Sequence, residues 1–266
     1  VLRGIAQSWA SRREDVQANV GRLMEMLEGR PTEDAAVSPG LPAQAARDLE
    51  HGFDSTWGGF GKAPKFPRPA ALAFLAHRCA RVSWDEGKAM LEKTLEMMWR
   101  GGMYDHVGGG FARYATDDKW LVPHFEKMLY DNALLVESYL DGHLLCGRAD
   151  FADVARDVLE WVAREMTHAD GGLLSAQDAD SEGVEGKFYV FDAPEIERVI
   201  GDEADLFKRV FSVTSEGNFE GRNILWFQRS VAETAASEGM SEADLRERYA
   251  SWRQALYAYR EQRIRP

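Results

Sequence analysis

The sequence predicts an all-α fold built from paired helices stacked side by side. Three observations carry that expectation. Apolar residues recur at three- and four-residue spacing along most of the chain, the period of one helix face. A short pattern of aromatic, Asp, three residues, Gly-Gly-Phe occurs twice, at Phe53 to Phe60 and at Tyr104 to Phe111. A period of that size, holding two helices and one glycine turn, marks stacked helical hairpins. Only "KFYVF", Lys187 to Phe191, has the composition of a strand.

Each element follows from its local pattern. Trp9, Val16, Val20, Leu23 and Leu27 form an apolar stripe, so Ile5 to Leu27 is expected to be a lead-in helix. Pro31, Pro39, Gly40 and Pro42 cannot continue it, which places a linker at Gly29 to Leu41. Residues 1–40 are thus expected to be lead-in helix and linker, and 41–266 the main domain. Leu72, Leu75, Cys79 and Val82 mark one helix, and Trp84, Leu91, Leu95 and Met98 the next, with Ser83 and Glu86 as its capping box. A second hairpin is expected from a long helix through Phe125, Leu129, Val136, Leu140 and Leu144 and another through Phe151, Val154, Val158 and Trp161. Leu245, Tyr249, Trp252, Leu256 and Tyr259 predict a last helix.

Composition narrows the functional classes. With 266 residues, 45% of them apolar, the chain can bury a sizeable core. A net charge of -12 disfavours phosphate backbones and anionic lipid, so neither nucleic acid nor a membrane is an expected partner. Cys79 and Cys146 stand alone in helical patterns and are expected to be buried thiols, which suits a cytoplasmic protein. The chain opens without Met, and residue 1 is not expected to be the natural start.

The glycines are explained first by architecture. A helix that ends in a left-handed residue and doubles back needs glycine there. No Gly-Lys-Ser/Thr follows them and no β-run precedes them, so a phosphate loop is not indicated. A weaker copy, "DGGLL", begins at Asp170.

The segments "FDSTWGGFGKAPKFPRP", "GGMYDHVGGGFARYATDDKWLVPHFEKMLYDNALL" and "GGLLSAQDADSEGVEGKFYVF" closely resemble the YyaL-like proteins, related to the spermatogenesis-associated thioredoxin-like proteins. The resemblance implies a partial (α/α)6-type toroid, similar to six-hairpin glycosidases and N-acylglucosamine epimerases. It also implies that a thioredoxin-like domain precedes this stretch in the family, making the chain an internal piece. That domain would be a docking partner, and a cut ring of hairpins would self-associate through its open edge.

In a toroid, loops entering the inner helices converge on one face and line a shared cavity. Two chemistries are open there. Glycoside hydrolysis needs two carboxyl groups across the bond, and Asp178, Asp180 and Glu126 are candidates. Trp57, Trp120 and Tyr189 would offer faces to a sugar ring. Epimerisation beside a carbonyl needs a base and an acid on opposite faces, which His106 and His124 could supply. A helical wheel groups His124 with Lys127 and Asp131, so Asp131 would orient the imidazole. Arg113 and Tyr114 join the same face as substrate contacts. Each carboxylate is equally suited to capping a turn. Asn132, inside an apolar arc, is expected to tie its helix to a loop rather than meet a ligand.

"DADSEG" imitates the start of a calcium loop, but position twelve is Tyr189 where a bidentate Glu is required. No metal or other cofactor is expected. The ligand class is a small carbohydrate or polyol, and the alternative is a scaffold without catalysis that docks the thioredoxin-like domain or another protein.

Overall fold

The structure, a computed structural model, describes residues 2–28 and 38–266. Most of the expected linker, residues 29–37, lies outside the described residues. The chain forms two compact units, 1–44 and 45–266.

In the first unit the lead-in segment is two helices, α1 (Leu2–Ser11) and α2 (Arg13–Glu28), rather than one. The Ser11 hydroxyl donates to the Gln7 carbonyl at 2.8 Å, a competitor for the helical bond of the kind that bends helices. The second unit opens with α3 (Leu41–Gly52).

The main core then assembles from the two expected hairpins. The helix α4 (Pro69–Cys79) packs on α5 (Asp85–Arg100), and α6 (Leu129–Cys146) packs on α7 (Ala149–Glu165) and back onto α4. Leu72, Leu75, Leu91, Leu95, Leu135, Tyr139 and Val158 are buried at their junction. Close approach is possible because α6 carries Gly142, where a Cβ would meet the Leu95 side chain at 2.4 Å. Gly147 closes α6 with a left-handed cap before α7 begins. Cys79 and Cys146 are half-buried and unoxidised. Around a second core of Phe191, Phe207, Phe211, Phe227 and Trp252 stand α8 (Ala193–Ile200), α9 (Ala204–Phe211), α10 (Val231–Ser237) and α11 (Glu242–Arg260).

Local differences from the sequence expectation have specific causes. The Ser83 capping box does not form; Trp84 occupies the N-cap, lays its ring where a Gly87 Cβ would sit, and donates its Nε1 to Glu50 Oε1 at 2.9 Å. The helix expected from Phe125 starts only at Leu129, because 123–128 pair with neighbouring loops as short strands. These are β1 (Tyr114–Ala115) with β2 (Pro123–His124), and β3 (Lys127–Met128) with β4 (Ala176–Gln177). A further hairpin joins β5 (Asp180–Ser181) to β6 (Val184–Glu185). The strand expected at Lys187–Phe191 is a turn through Tyr189, and Phe191 makes a single bridge to Asn223. Among the described residues no helix is long and apolar enough to cross a membrane.

Candidate functional site

The two glycine junctions have the same internal construction. In the first, Phe53 bridges Phe60, and the Asp54 carboxylate accepts from the Thr56 and Trp57 amides at 2.9 and 3.0 Å. Lys65 Nζ donates to Asp54 Oδ2 at 2.6 Å and to the Gly58 carbonyl at 2.8 Å. In the second, Tyr104 bridges Phe111, and Asp105 Oδ1 accepts from the Val107 and Gly108 amides, each at 3.0 Å. Lys127 Nζ donates to Asp105 Oδ2 and to the Gly109 carbonyl, each at 2.8 Å. Gly58 and Gly109 both have φ near +70 to +80°, which only glycine adopts without strain. Each lysine lies over a tryptophan, Lys65 at 5.3 Å from Trp120 and Lys127 at 5.2 Å from Trp161. Each of these tryptophans covers the second glycine of its turn, Gly59 or Gly110.

Those lysines also string the junctions together. Lys65 and Ala115 exchange backbone hydrogen bonds at 2.8 and 3.0 Å, and Lys127 pairs with Gln177 in the β3–β4 ladder. Segments far apart in sequence therefore share one rim, running from 65 through 115 and 127 to 177.

On that rim His124 is the centre of a polar relay. Its Nδ1 lies 2.7 Å from Glu185 Oε1, and its Nε2 lies 3.7 Å from Glu126 Oε2. With Nδ1 donating to Glu185, Nε2 keeps its lone pair. The imidazole stacks on Tyr114 at 5.1 Å between ring centroids, and Tyr114 stacks on the exposed ring of Phe66 at 4.7 Å. Arg113 Nη1 reaches Glu126 Oε2 at 3.5 Å, and its positive charge is reinforced by Tyr130, which bonds to it, and by Glu126 and Asp131. Asp131 is only 9% exposed; burial raises its carboxyl pKa above the ordinary value, with Arg113 opposing, and its Oδ2 has no partner.

Other nominated residues occupy different places. His106 is buried in the second core: Nε2 lies 3.1 Å from the Gly101 carbonyl and Nδ1 3.4 Å from the Tyr249 hydroxyl, with Trp99, Tyr104, Phe211 and Phe227 around it. Burial lowers its pKa to about 4, so it is a neutral core group and no partner for His124. Trp120 has no exposure and gives its Nε1 to the Trp57 carbonyl at 2.9 Å, which removes it as a sugar platform. Tyr189 is corrected in the same way, since its ring is stacked inside on Phe125 and approached by Lys127 at 5.1 Å. Trp57 is half-buried under Lys119. The helical face of His124, Lys127 and Asp131 does not exist: the first two lie on strands, Lys127 points inward to Asp105, and Glu185 rather than Asp131 orients His124. Asp178 and Asp180 are exposed; Asp178 Oδ1 accepts from the Asp180 amide at 3.1 Å, and Asp180 pairs with Glu185 across β5–β6. Asn132 ties its helix to the glycine turn as expected, through both the amide and the carbonyl of Phe111 at 2.7 and 2.9 Å.

Sequence reasoning missed Glu185, Lys65 and Lys127 in their actual roles. The signal for the lysines was available, because each follows a junction whose Asp would otherwise be a buried uncompensated charge. Beneath the rim, Tyr104, Asp105, His106, Pro123, Lys127 and Tyr189 help to line a cavity of about 30 Å³. That volume holds water and is far below the several hundred Å³ of a ligand pocket. Among the described residues no cluster of three or more His, Cys, Asp or Glu is arranged to hold a metal ion.

Comparison with known proteins adds lineage to this geometry. No family model matches the chain. It is 34% identical over its whole length to human spermatogenesis-associated protein 20 and 34% identical, over 90% of its length, to the mouse protein. An uncharacterised Caenorhabditis elegans protein is 32% identical over the whole chain. The chain spans 38% of the human protein, 35% of the mouse protein and 41% of the nematode one. Among solved structures, a sugar epimerase from a ruminal bacterium aligns over 52% of this chain and 40% of its own, with TM-score 0.45 and 15% identity. The cellobiose 2-epimerase of Spirochaeta thermophila aligns over 56% and 42%, with TM-score 0.46 and 17% identity.

Proposed function

From the premise that the chain belongs to the spermatogenesis-associated protein 20 family, we propose that its main unit is part of an (α/α) toroid that binds and processes a small carbohydrate at the His124 rim. The observation that carries this is one imidazole held between two carboxylates and stacked on an aromatic pair. Phe66 and Tyr114 offer the apolar face that a sugar ring packs against, and Glu126, Glu185 and Arg113 offer hydrogen bonds around it.

In this role Glu185 fixes the tautomer, His124 Nε2 takes a proton from a sugar carbon or hydroxyl, and Glu126, 3.7 Å away, works with it as the second proton-transfer group. His106 takes no part. Proton transfer by His124 with a carboxylate is favoured over a two-carboxylate hydrolysis by Asp178 and Asp180, because Asp178 Oδ1 is committed to its own turn.

The test is a thermal-shift and calorimetric screen of mono- and disaccharides against the unmodified chain, His124→Ala, Glu126→Gln and Asp178→Ala. Binding that falls at least tenfold in His124→Ala and Glu126→Gln, but not in Asp178→Ala, is expected. If no sugar stabilises the protein, the carbohydrate reading is wrong. The second reading is then a non-catalytic scaffold for a thioredoxin-like domain, favoured by the exposed stripe of Leu134, Leu140 and Leu144 on α6.

A further inference from the structure

We infer that the rim selects an amine-bearing sugar over neutral and anionic ones, with Asp131 as the carboxylate that receives the amine; this rests on the carbohydrate reading above. The argument starts from hydrogen-bond accounting. Buried polar atoms in a folded protein have partners, and each exception calls for a physical reason. Two exceptions lie on this rim, Asp131 Oδ2 and Gln177 Oε1, and both are acceptors. They are carried by neighbouring segments: Gln177 ends β4, and its partner strand β3 leads directly into the first turn of α6, where Asp131 sits. A ligand that satisfies them must donate.

The surrounding charge points the same way. Glu126, Asp131, Asp180, Glu182 and Glu185 occupy the rim and its β5–β6 hairpin. Against them stand Arg113, paired with Glu126 at 3.5 Å, and Lys187, paired with Glu182 at 2.6 Å. The balance is negative, which concentrates cations and repels phosphate or carboxylate groups. His124 Nε2 is a further acceptor, since Nδ1 serves Glu185. An ammonium offers three donors and no acceptor, and its bond to a carboxylate is about twice as strong as a neutral one. A hydroxyl could fill the same place only with the weaker bond. The Phe66–Tyr114 stack supplies the ring contact common to all sugars, so the amine alone sets the preference.

The experiment titrates the unmodified chain with D-glucose, D-glucosamine, N-acetyl-D-glucosamine and D-glucose 6-phosphate near neutral pH, and repeats the series with Asp131→Asn and at raised salt. Expected are glucosamine binding roughly tenfold tighter than glucose, a preference lost on N-acetylation, the weakest binding for the phosphate, and equal binding of glucosamine and glucose by Asp131→Asn. Should Asp131→Asn fail to fold, the loss on N-acetylation and the shrinking of the preference with salt decide the matter in the unmodified chain. Glucose binding as well as glucosamine, or glucose 6-phosphate binding better than either, overturns the inference and leaves the carbohydrate reading standing. No binding by any of the four overturns both.

Discussion

The junction at Phe53 and the junction at Tyr104 are built to one plan, yet they stand in different surroundings. Asp54 keeps 21% of its side chain in solvent and has one basic partner, Lys65. Asp105 keeps 9% and holds two, Lys127 and Arg260, the latter reaching in from α11 at 2.8 Å. Burial opposes ionisation at both sites. At Asp105 the two cations overcome it and hold the carboxyl well below its usual range, while Asp54 is lowered less, through Lys65 and the Thr56 and Trp57 amides. The same loop is thus a partly solvated turn in one place and the meeting point of distant helices in the other. Its second copy also replaces the exposed Ser55 by the buried His106.

The largest consequence of that difference is expected for Asp105→Ala, which leaves the Lys127 and Arg260 charges buried without their common partner. Removing one member of a buried ionic group costs about 3–5 kcal/mol, and the variant should unfold at much lower denaturant concentration, or not fold. Equal loss in Asp54→Ala by urea unfolding would show that the two junctions are energetically alike. A wild-type-like midpoint for Asp105→Ala would remove the idea that the second is a keystone.

Next in size is an effect of pH confined to the second junction. His106 has a folded pKa of about 4 against an ordinary 6.5. Its folded-state value is depressed, so the stability it contributes is fully present above pH 6.5 and is lost as pH falls through about 4. A shift of that size corresponds to about 3 kcal/mol. Urea midpoints between pH 7 and 4 should therefore fall in the unmodified chain and fall much less in His106→Gln. Parallel pH curves for the two proteins would contradict a neutral buried imidazole.

Lys65→Met probes the first junction and should be milder than its counterpart. Asp54 remains bonded to two backbone amides and in reach of water, so the loss is expected at about 1–3 kcal/mol, most of it from the Gly58 and Asp118 carbonyls left without their donor. Lys127→Met should cost more, because Asp105 is deeper. The order of the two midpoints is the readout, and a reversed order would mean that solvent access does not set the difference.

How far the molecule was legible follows from which forces act locally. The hairpins α4/α5 and α6/α7, the glycine turns and the tie made by Asn132 could be read directly, since helical periodicity and a buried amide leave marks within one segment. The start of α6 could not. Phe125 and Leu129 share a helical spacing, but Lys127 and Met128 find backbone partners in Gln177 and Ala176 from fifty residues on, and that pairing ends the helix early. The candidate site suffered for the same reason. Wheel geometry joined His124 to Asp131, whereas the strand delivered it to Glu185 and Tyr114. Aromatic residues were nominated for their chemistry alone, and Trp120 and Tyr189 proved to be where large apolar rings usually go, inside.

The smallest expected effect distinguishes the two tryptophans that cover the glycine turns. Trp120 Nε1 donates to the Trp57 carbonyl, so Trp120→Phe removes ring area and strands a buried acceptor. At the equivalent place in the second junction, the Gly108 carbonyl is taken by Arg164, and Trp161 Nε1 is buried without a partner. Trp161→Phe therefore deletes a polar group that already carries its desolvation cost, and part of the lost packing is offset. We expect Trp120→Phe to cost about 1–3 kcal/mol more than Trp161→Phe, the full penalty of an unsatisfied buried group. Both substitutions retain an aromatic face for the lysine above, which keeps the comparison to the indole N–H. Urea unfolding of the two variants decides it: equal losses would mean that Trp161 Nε1 does have a partner in solution, and that the second junction is satisfied by the same rule as the first.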